Sequence, residues 1–253
     1  MTQTQKAKAF LALHTNGDPV VLYNVWDAGS AKAVAEAGAK AIATGSWSAA
    51  ASQGYEDGQN MPLDVALGAV ARIVRSTDLP VTVDFEGGFA THPDDVARNV
   101  ASLLQIGAIG LNFEDQIVGG EGLYDKSTQA ARIAAVRLAA DHADVPAVIN
   151  ARTDLFLKQS DATKHSDLVD DAISRATIYK EAGADCFFIP GLSDKTLIAR
   201  ICAAVALPVN VMLLDTTADL ISIAKTGTAR ISFGPAPYYA AMTSIGEAAS
   251  KHF

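Results

Sequence analysis

Val81-Thr82-Val83-Asp84-Phe85-Glu86-Gly87-Gly88-Phe89 runs from a β-branched strand straight into two carboxylates separated by one residue, and then into paired glycines. A strand end that concentrates acid in this way, with no lysine beside it, is suited to hold a cation. Gly110-Leu111-Asn112-Phe113-Glu114-Asp115 has the same form, an apolar strand closing on two adjacent acids. In a barrel of parallel strands both ends open on one face, where carboxylate oxygens can converge on a hard divalent metal. Each acid taken singly reads as a solvated residue starting a loop; it is the repetition of the pattern that favours the metal.

Outward from these two runs the chain alternates strand and helix eight times. Apolar runs at 20–26, 41–46, 80–86, 109–114, 147–153, 186–190, 209–213 and 229–234 predict strands. The intervening periodicity predicts helices near 28–37, 62–76, 93–106, 128–142, 167–182, 193–205 and 216–226, with a last one from about 236. Gly38, Gly107 and Gly183 each stop a helix just before a strand, and Pro80, Pro146 and Pro208 begin strands, where a missing N–H costs little. Eight such units without a break in composition predict an α/β fold, a (β/α)8 TIM-type barrel forming a single domain over residues 1–253. An open doubly wound sheet is the alternative, but Asn24-Val25-Trp26-Asp27-Ala28-Gly29 stands where a GxGxxG turn would follow the first strand.

The 253 residues are 49% hydrophobic and 19% charged, enough to bury one large core. A formal net charge of −8, with Lys and Arg scattered, argues against a nucleic-acid surface. No segment reaches the ~18 uninterrupted apolar residues of a membrane span, and Met1 to Leu13 lacks the pattern of a cleaved leader, so a cytoplasmic protein is expected. Cys186 and Cys202 have no close-spaced Cys or His partner and read as buried free thiols.

In a barrel the chemistry belongs to residues just after each strand. The first five strands supply Asn24, Trp26 and Asp27; Gly45, Ser46 and Trp47, followed by Asp57; Asp84 and Glu86; Glu114 and Asp115; and Asn150, Arg152, Thr153 and Asp154. The last three supply little charge. The Gly45-Ser46-Trp47 turn can aim backbone N–H groups at a carboxylate or an oxyanion, or be an ordinary connection. Arg152 suits two-pronged capture of a substrate carboxylate, or a structural ion pair with Asp154 or Glu114. No lysine ends a strand, which disfavours a Schiff-base aldolase, and none of the five histidines does, which disfavours His-centred base catalysis or a His-rich zinc site. What remains is polarisation of an α-keto or α-hydroxy acid by a hard metal, an arginine and an oxyanion pocket.

Asp27-Ala28-Gly29-Ser30-Ala31, Gly54-Tyr55-Glu56-Asp57, Val83 to Phe89, Asn112-Phe113-Glu114-Asp115-Gln116 and Asn150-Ala151-Arg152-Thr153-Asp154 occur in the order seen in the isocitrate lyase and phosphoenolpyruvate mutase superfamily, and the chain resembles its short bacterial phosphonomutase-like members from about residue 10 to 240. The resemblance implies a barrel that uses Mg²⁺ (or Mn²⁺) and makes or breaks a C–C or P–C bond of a small α-keto or α-hydroxy carboxylate through a pyruvate-type enolate. It implies that Asp84 binds the metal, with Asp57, Glu86 and Glu114 holding it directly or through water. It further implies that Gly45, Ser46 and Trp47 receive the substrate carboxylate and enolate oxygen, and that Arg152 contacts the substrate. With Glu114, residues Ser46, Trp47 and Arg152 form the expected catalytic set, and Asp84 also faces the substrate. A homotetramer or dimer is implied, its terminal helix, here from Pro235 onward, crossing to a neighbouring subunit.

Two departures bear on the reaction. The superfamily's lyases carry a Lys-Lys-Cys-Gly-His or Lys-Arg-Cys-Gly-His gate loop, and its mutases a lysine, asparagine and serine there. This chain reads Ile117-Val118-Gly119-Gly120-Glu121-Gly122-Leu123-Tyr124-Asp125-Lys126, with no thiol and none of the mutase set. Glu86 stands where an aspartate is common. Negligible cleavage of isocitrate and 2-methylisocitrate is therefore expected. Decarboxylation or hydrolysis of oxaloacetate-type acids remains an alternative, as does a non-catalytic barrel that binds a dicarboxylate. Roles for Glu121, Tyr124 and Lys126 stay open.

Overall fold

All eight strands form, each shorter than its apolar run, in the computed structural model, which describes residues 1–253. They are β1 (Val20–Leu22), β2 (Ile42–Ala43), β3 (Val81–Asp84), β4 (Gly110–Glu114), β5 (Val148–Arg152), β6 (Cys186–Phe188), β7 (Val209–Met212) and β8 (Arg230–Ser232). Every pairing is parallel, in the order β1-β8-β7-β6-β5-β4-β3-β2. Beyond the ladder, Val25 bridges Thr44 in parallel: its N–H donates to Ala43 O at 2.9 Å and its carbonyl accepts from Gly45 N–H at 3.0 Å, which closes the barrel. The run predicted as strand to residue 26 thus leaves the β8 ladder at Leu22, because Asn24 turns inward. The Asn24 amide nitrogen donates to Thr44 O at 2.9 Å, and its oxygen accepts the N–H groups of Phe233 and Gly234 at 2.8 and 2.9 Å. One side chain therefore ties the first, second and last strands together at the mouth.

The helices are α1 (Gln3–Ala12), α2 (Ala28–Glu36), α3 (Ser46–Ser52), α4 (Leu63–Arg75), α5 (Pro93–Gln105), α6 (Lys126–His142), α7 (Leu155–Lys158), α8 (His165–Glu181), α9 (Lys195–Ala204), α10 (Leu220–Ala224) and α11 (Ala236–Ala249). Helix α5 illustrates why the outer ring forms. His92 accepts the Asp94 N–H as N-cap, Pro93 opens the first turn, and Val96, Val100, Leu103 and Leu104 recur on one buried stripe. Each such side chain contributes about 1.5–3 kcal/mol by leaving water. The helix predicted over 216–226 begins only at Leu220, since Asp219 caps the N–H groups of Ile221 and Ser222, while Asp215 ties up Thr217 in a turn. Close approach fixes Gly110: a Cβ there would lie 2.6 Å from Val148 O.

Helices α1, α3 and α7 were not predicted from the periodicity. Helix α1 plugs the amino-terminal end of the barrel, with Ala7 and Phe10 buried against Val20, Leu22, Ala41, Ala43, Val148 and Cys186. Helix α11 behaves differently from its neighbours, since only Ala236 and Pro237 of it are buried while Tyr239, Met242 and Ile245 are exposed. On the outside of β1, Val21 and Tyr23 are also exposed, beside a groove of about 710 Å³ that Val34 and Ala37 of the α2 region help line. No helix is long and apolar enough to cross a membrane.

Candidate active site

The acid run that opened the sequence reading ends at the barrel mouth. Asp84, the last residue of β3, has both carboxylate oxygens engaged. Its Oδ2 accepts the Ser46 N–H at 3.0 Å and the Ser46 hydroxyl at 2.8 Å, and its Oδ1 accepts from the Asn112 amide at 3.2 Å, with Arg152 Nη1 at 4.0 Å. Gly45 is the N-cap of α3 and brings no capping side chain, so the first-turn amides are left for other acceptors. Of the three turn residues, Gly45 spends its N–H on Val25 O, Ser46 turns to Asp84, and Trp47 packs its ring on Tyr238 and Tyr239 with centroids 5.8 and 4.6 Å away.

Glu86 sits two residues further on, in the left-handed region at φ 48°, a conformation that costs a non-glycine residue of order 1 kcal/mol or more. Two contacts hold it there: its carbonyl accepts the Glu114 N–H at 3.0 Å, and its Oε2 accepts the Gln59 N–H at 2.8 Å. The second contact latches the segment carrying Asp57 over the mouth. Glu114 is buried and pairs with Arg152 Nη1 at 3.0 Å. Arg152 is further clasped by buried Asp154, Nε to Oδ1 at 2.6 Å and Nη2 to Oδ2 at 3.0 Å. The structural pairing and the site location of Arg152 therefore coexist, since it also lines the central cavity.

That cavity, about 160 Å³, is lined by Asp57, Asp84 and Arg152 together with Leu157, Phe188 and Met212, and the Arg152 guanidinium lies 5.9 Å over the Phe188 ring. Glu86 and Glu114 stand behind Asp84 rather than on the cavity wall. Burial, then the charges of Asp84 and Asp57, push Glu86 up to about 8. Burial also holds Glu114 well above the usual carboxylate range despite Arg152, and raises Asp57 at the rim, where Asp84 adds its repulsion. Arg152 is the converse case: burial would lower it, but Glu114, Asp154 and Asp84 together keep it firmly charged. No three of the carboxylates converge on one point as a ready-made metal shell. Two acids facing a polar cavity, with two more behind, match the habit of Mg²⁺, which binds through one or two carboxylates and keeps several waters. The donor set is hard oxygen throughout and carries more acid than Arg152 offsets, so the residues fit such an ion.

Beneath Asp84 lies a polar layer of Asn112, Asn150 and Arg230, of which the strand-end residues read from the sequence included only Asn150. Asn112 Oδ1 accepts from Asn150 at 2.8 Å and from Arg230 Nη2 at 3.0 Å, which forces the Asn112 amide nitrogen toward Asp84. Arg230 is fully buried inside the barrel with no carboxylate partner, and burial brings it down to about 10. The available signal was a charge in the otherwise apolar run Ala229-Arg230-Ile231-Ser232-Phe233.

The 117–126 loop folds as a small hairpin, with Gln116 bridging Leu123 and the Ile117 N–H donating to Gly122 O at 3.2 Å. Its Tyr124 ring stacks under Arg132 at 4.2 Å and lines a separate cavity of about 250 Å³ with Gln59 and Gly87. Lys126 is paired with Asp171 at 2.6 Å, and Glu121 is exposed. No thiol reaches the mouth: Cys186 lies in β6 at the plugged end, where burial pushes it up to about 12, and Cys202 is on α9.

A family model described as Phosphoenolpyruvate phosphomutase matches residues 10–253. The 2-methylisocitrate lyase of Escherichia coli K12 is 32% identical over 218 residues, which span 83% of this chain and 70% of that one. The crystal structure of a candidate phosphonomutase from Burkholderia cenocepacia J2315 superposes with a TM-score of 0.96 at 47% identity, covering 99% of this chain and 100% of the other. A phosphonopyruvate hydrolase, solved in complex with oxalate and Mg²⁺, shares the fold at a TM-score of 0.85 and 20% identity over 99% of this chain and 87% of the other.

Proposed function

We propose, because this chain belongs to the phosphoenolpyruvate mutase and isocitrate lyase superfamily, that it is a Mg²⁺-dependent enzyme that makes or breaks a C–C or P–C bond of a small α-keto acid through a pyruvate-type enolate. The observation that carries this reading is the cavity lined by Asp57, Asp84 and Arg152, where burial first and then the charge of neighbouring acids raise Asp57 and, behind the cavity, Glu86. A scaffold that only binds a dicarboxylate has no need of four acids held together at this cost. Oxalate with Mg²⁺ in the hydrolase of the same fold lends support to a flat two-oxygen ligand here.

In this reading Asp84 and Asp57 hold the ion, with Glu86 and Glu114 acting on it through water. Bound Mg²⁺ would polarise the acid's carboxylate and keto oxygens and offset charge developing on the enolate. Ser46 has two donors on one oxygen of Asp84; its hydroxyl can rotate to the substrate when that oxygen is engaged by a cation, and its backbone N–H, fixed in the first helical turn, is then left for a substrate oxygen. With the first-turn amide of Trp47, they receive the carboxylate and the enolate oxygen. Arg152, locked by Asp154 and Glu114, presents its remaining N–H bonds without having to be ordered during the reaction. The gate loop brings no general acid of the lyase kind, a loss worth ~10²- to 10⁴-fold in rate, so cleavage of isocitrate or 2-methylisocitrate is slow.

The exposed apolar side of α11 and the uncovered outer face of β1 support assembly into a homotetramer or dimer in which α11 packs on a neighbouring subunit. Turnover of a panel of small α-keto acids with Mg²⁺, and its loss in EDTA, tests the function. A panel that stays inert with metal present, or turns over equally in EDTA, overturns it.

A further inference from the structure

We infer that Asp115, together with Arg175 and Tyr179 of α8, positions the Arg152 clasp and ties it to the base of the gate loop, a step that rests on the proposed contact of Arg152 with the substrate. Glu114 and Asp115 are the adjacent acids that close the β4 run, and a strand turns successive side chains to opposite faces. Glu114 meets Arg152 at the mouth, whereas Asp115 faces the helix layer and is fully buried there.

The two oxygens of Asp115 serve different parts of the molecule. Its Oδ1 accepts the Asp154 N–H at 3.0 Å. Asp154 is the N-cap of α7 but makes no side-chain cap bond, since its carboxylate is spent on Arg152 Nε and Nη2. The Oδ2 of Asp115 accepts the Tyr179 hydroxyl at 2.7 Å and Arg175 Nη1 at 3.0 Å. Arg175 and Tyr179 stand four residues apart on one face of α8. Arg175 Nη1 also donates to the Tyr124 carbonyl at 3.0 Å.

The backbone repeats the same division. The Asp115 N–H donates to Arg152 O at 3.1 Å, and its carbonyl accepts the Tyr124 N–H at 2.8 Å. Tyr124 follows Leu123, which bridges Gln116 to close the hairpin of the gate loop. One buried residue thus holds the end of β5 through its N–H and Oδ1, and the loop base through its carbonyl and, by way of Arg175, its Oδ2. The far side of Arg175 is fixed as well: its Nε pairs with Asp171 at 3.1 Å, and Asp171 takes Lys126, where the loop enters α6, at 2.6 Å. A buried carboxylate is costly unless its oxygens stay paired. Displacing either the loop base or Asp154 strips a partner from Asp115, so the two are held in one arrangement. A plain core ion pair between Asp115 and Arg175 would require neither Asp154 nor Tyr124.

Hydrogen exchange of the full chain followed by mass spectrometry reads this link without ligand, and calorimetric titration with oxalate in Mg²⁺ reads it at the site. Arg175→Met removes the donor shared by Asp115 and Tyr124, and Arg175 lines no part of the central cavity. Exchange should rise about tenfold or more in residues 153–158 as well as in 116–124, with the β7 segment 209–212 unchanged, and oxalate should bind about tenfold more weakly. Tyr179→Phe, which deletes one hydroxyl, is the second variant should the first not fold, and it should shift the same two segments by less. Faster exchange confined to 116–124, with 153–158 and oxalate affinity as in the parent, overturns the inference and leaves Asp115 as an anchor of the loop alone. A uniform rise that includes 209–212 also overturns it, as a loss of global stability. Absence of oxalate binding in the parent overturns the proposed function instead, and exchange at 153–158 still decides the role of Asp115.

Discussion

The two halves of the barrel mouth are built from the same kind of unit and have opposite characters. The ends of β2 to β5 hold Ser46, Asp84, Glu86, Glu114 and Arg152 in one connected set of hydrogen bonds and ion pairs. The ends of β6 to β8 present Phe188, Met212 and Pro235, none of which carries a charge. The charged half stores unfavourable energy in raised carboxylates and a left-handed Glu86, which protonation or a bound cation would relieve. Carboxylates are thereby concentrated at the ends of β3 to β5.

The largest effect expected from breaking the charged half is at Arg152. Arg152→Ala should cost ~10²- to 10³-fold in kcat/KM on any α-keto acid turned over. It should also destabilise the protein by about 3–5 kcal/mol, because Glu114 and Asp154 lose a buried partner. Denaturant titration and steady-state kinetics read the two separately, and near-normal turnover in this variant would remove Arg152 from the site. Asp84→Ala should abolish the rise in Tm on adding Mg²⁺. An undiminished rise would place the ion elsewhere.

Next in size is pH. Glu86 is raised to about 8 in the metal-free fold, from 4.5 unfolded, so the folded protein binds the extra proton between those values. Its stabilising contribution is complete below about pH 4.5 and is lost as pH rises through about 8. Metal-free Tm should fall by roughly 10–20 °C across that window, from about 5 kcal/mol of linkage at about 2–4 °C per kcal/mol for a chain of this size. Glu86→Gln should flatten the fall, and saturating Mg²⁺ should offset most of it. Equal slopes in the variant and the parent would assign the dependence to other groups.

Smaller still is the layer beneath. Arg230→Met takes one of two donors from Asn112 Oδ1 and leaves the other in place, so a loss of about 1–3 kcal/mol is expected. Weaker Mg²⁺ binding should accompany it if Asn112 is what holds Asp84 in place, and unchanged Mg²⁺ affinity would limit Arg230 to packing. The smallest change belongs to Tyr124→Phe. The ring stacks on Arg132 and the Tyr124 contact to Arg175 is through its backbone carbonyl, so activity should stay within about twofold. A drop of ~100-fold would bring the gate loop into the chemistry.

Amino-acid order alone determined the number and position of the strands, because alternating apolar runs punctuated by glycine and proline are local signals that survive in a one-dimensional reading. It also marked Asp84, Glu86, Glu114 and Arg152, since charge at the end of an apolar strand is conspicuous, while Asp57 came from the Gly54-Tyr55-Glu56-Asp57 motif of the resemblance. Tertiary structure decided what those residues do to one another. Glu114 and Arg152 are 38 positions apart and meet only because β4 and β5 pair in register. The Gly45-Ser46-Trp47 turn, read as either a set of backbone donors or an ordinary connection, is divided by barrel closure, which takes the Gly45 N–H for Val25. Helix α1 was missed because its apolar face is narrow and acquires meaning only against the barrel floor it plugs. Arg230 sits in a strand that reads as ordinary, and its link to Asp84 through Asn112 spans the barrel interior. Contacts across a closed sheet depend on register and on which face each side chain takes, and neither is written in local composition.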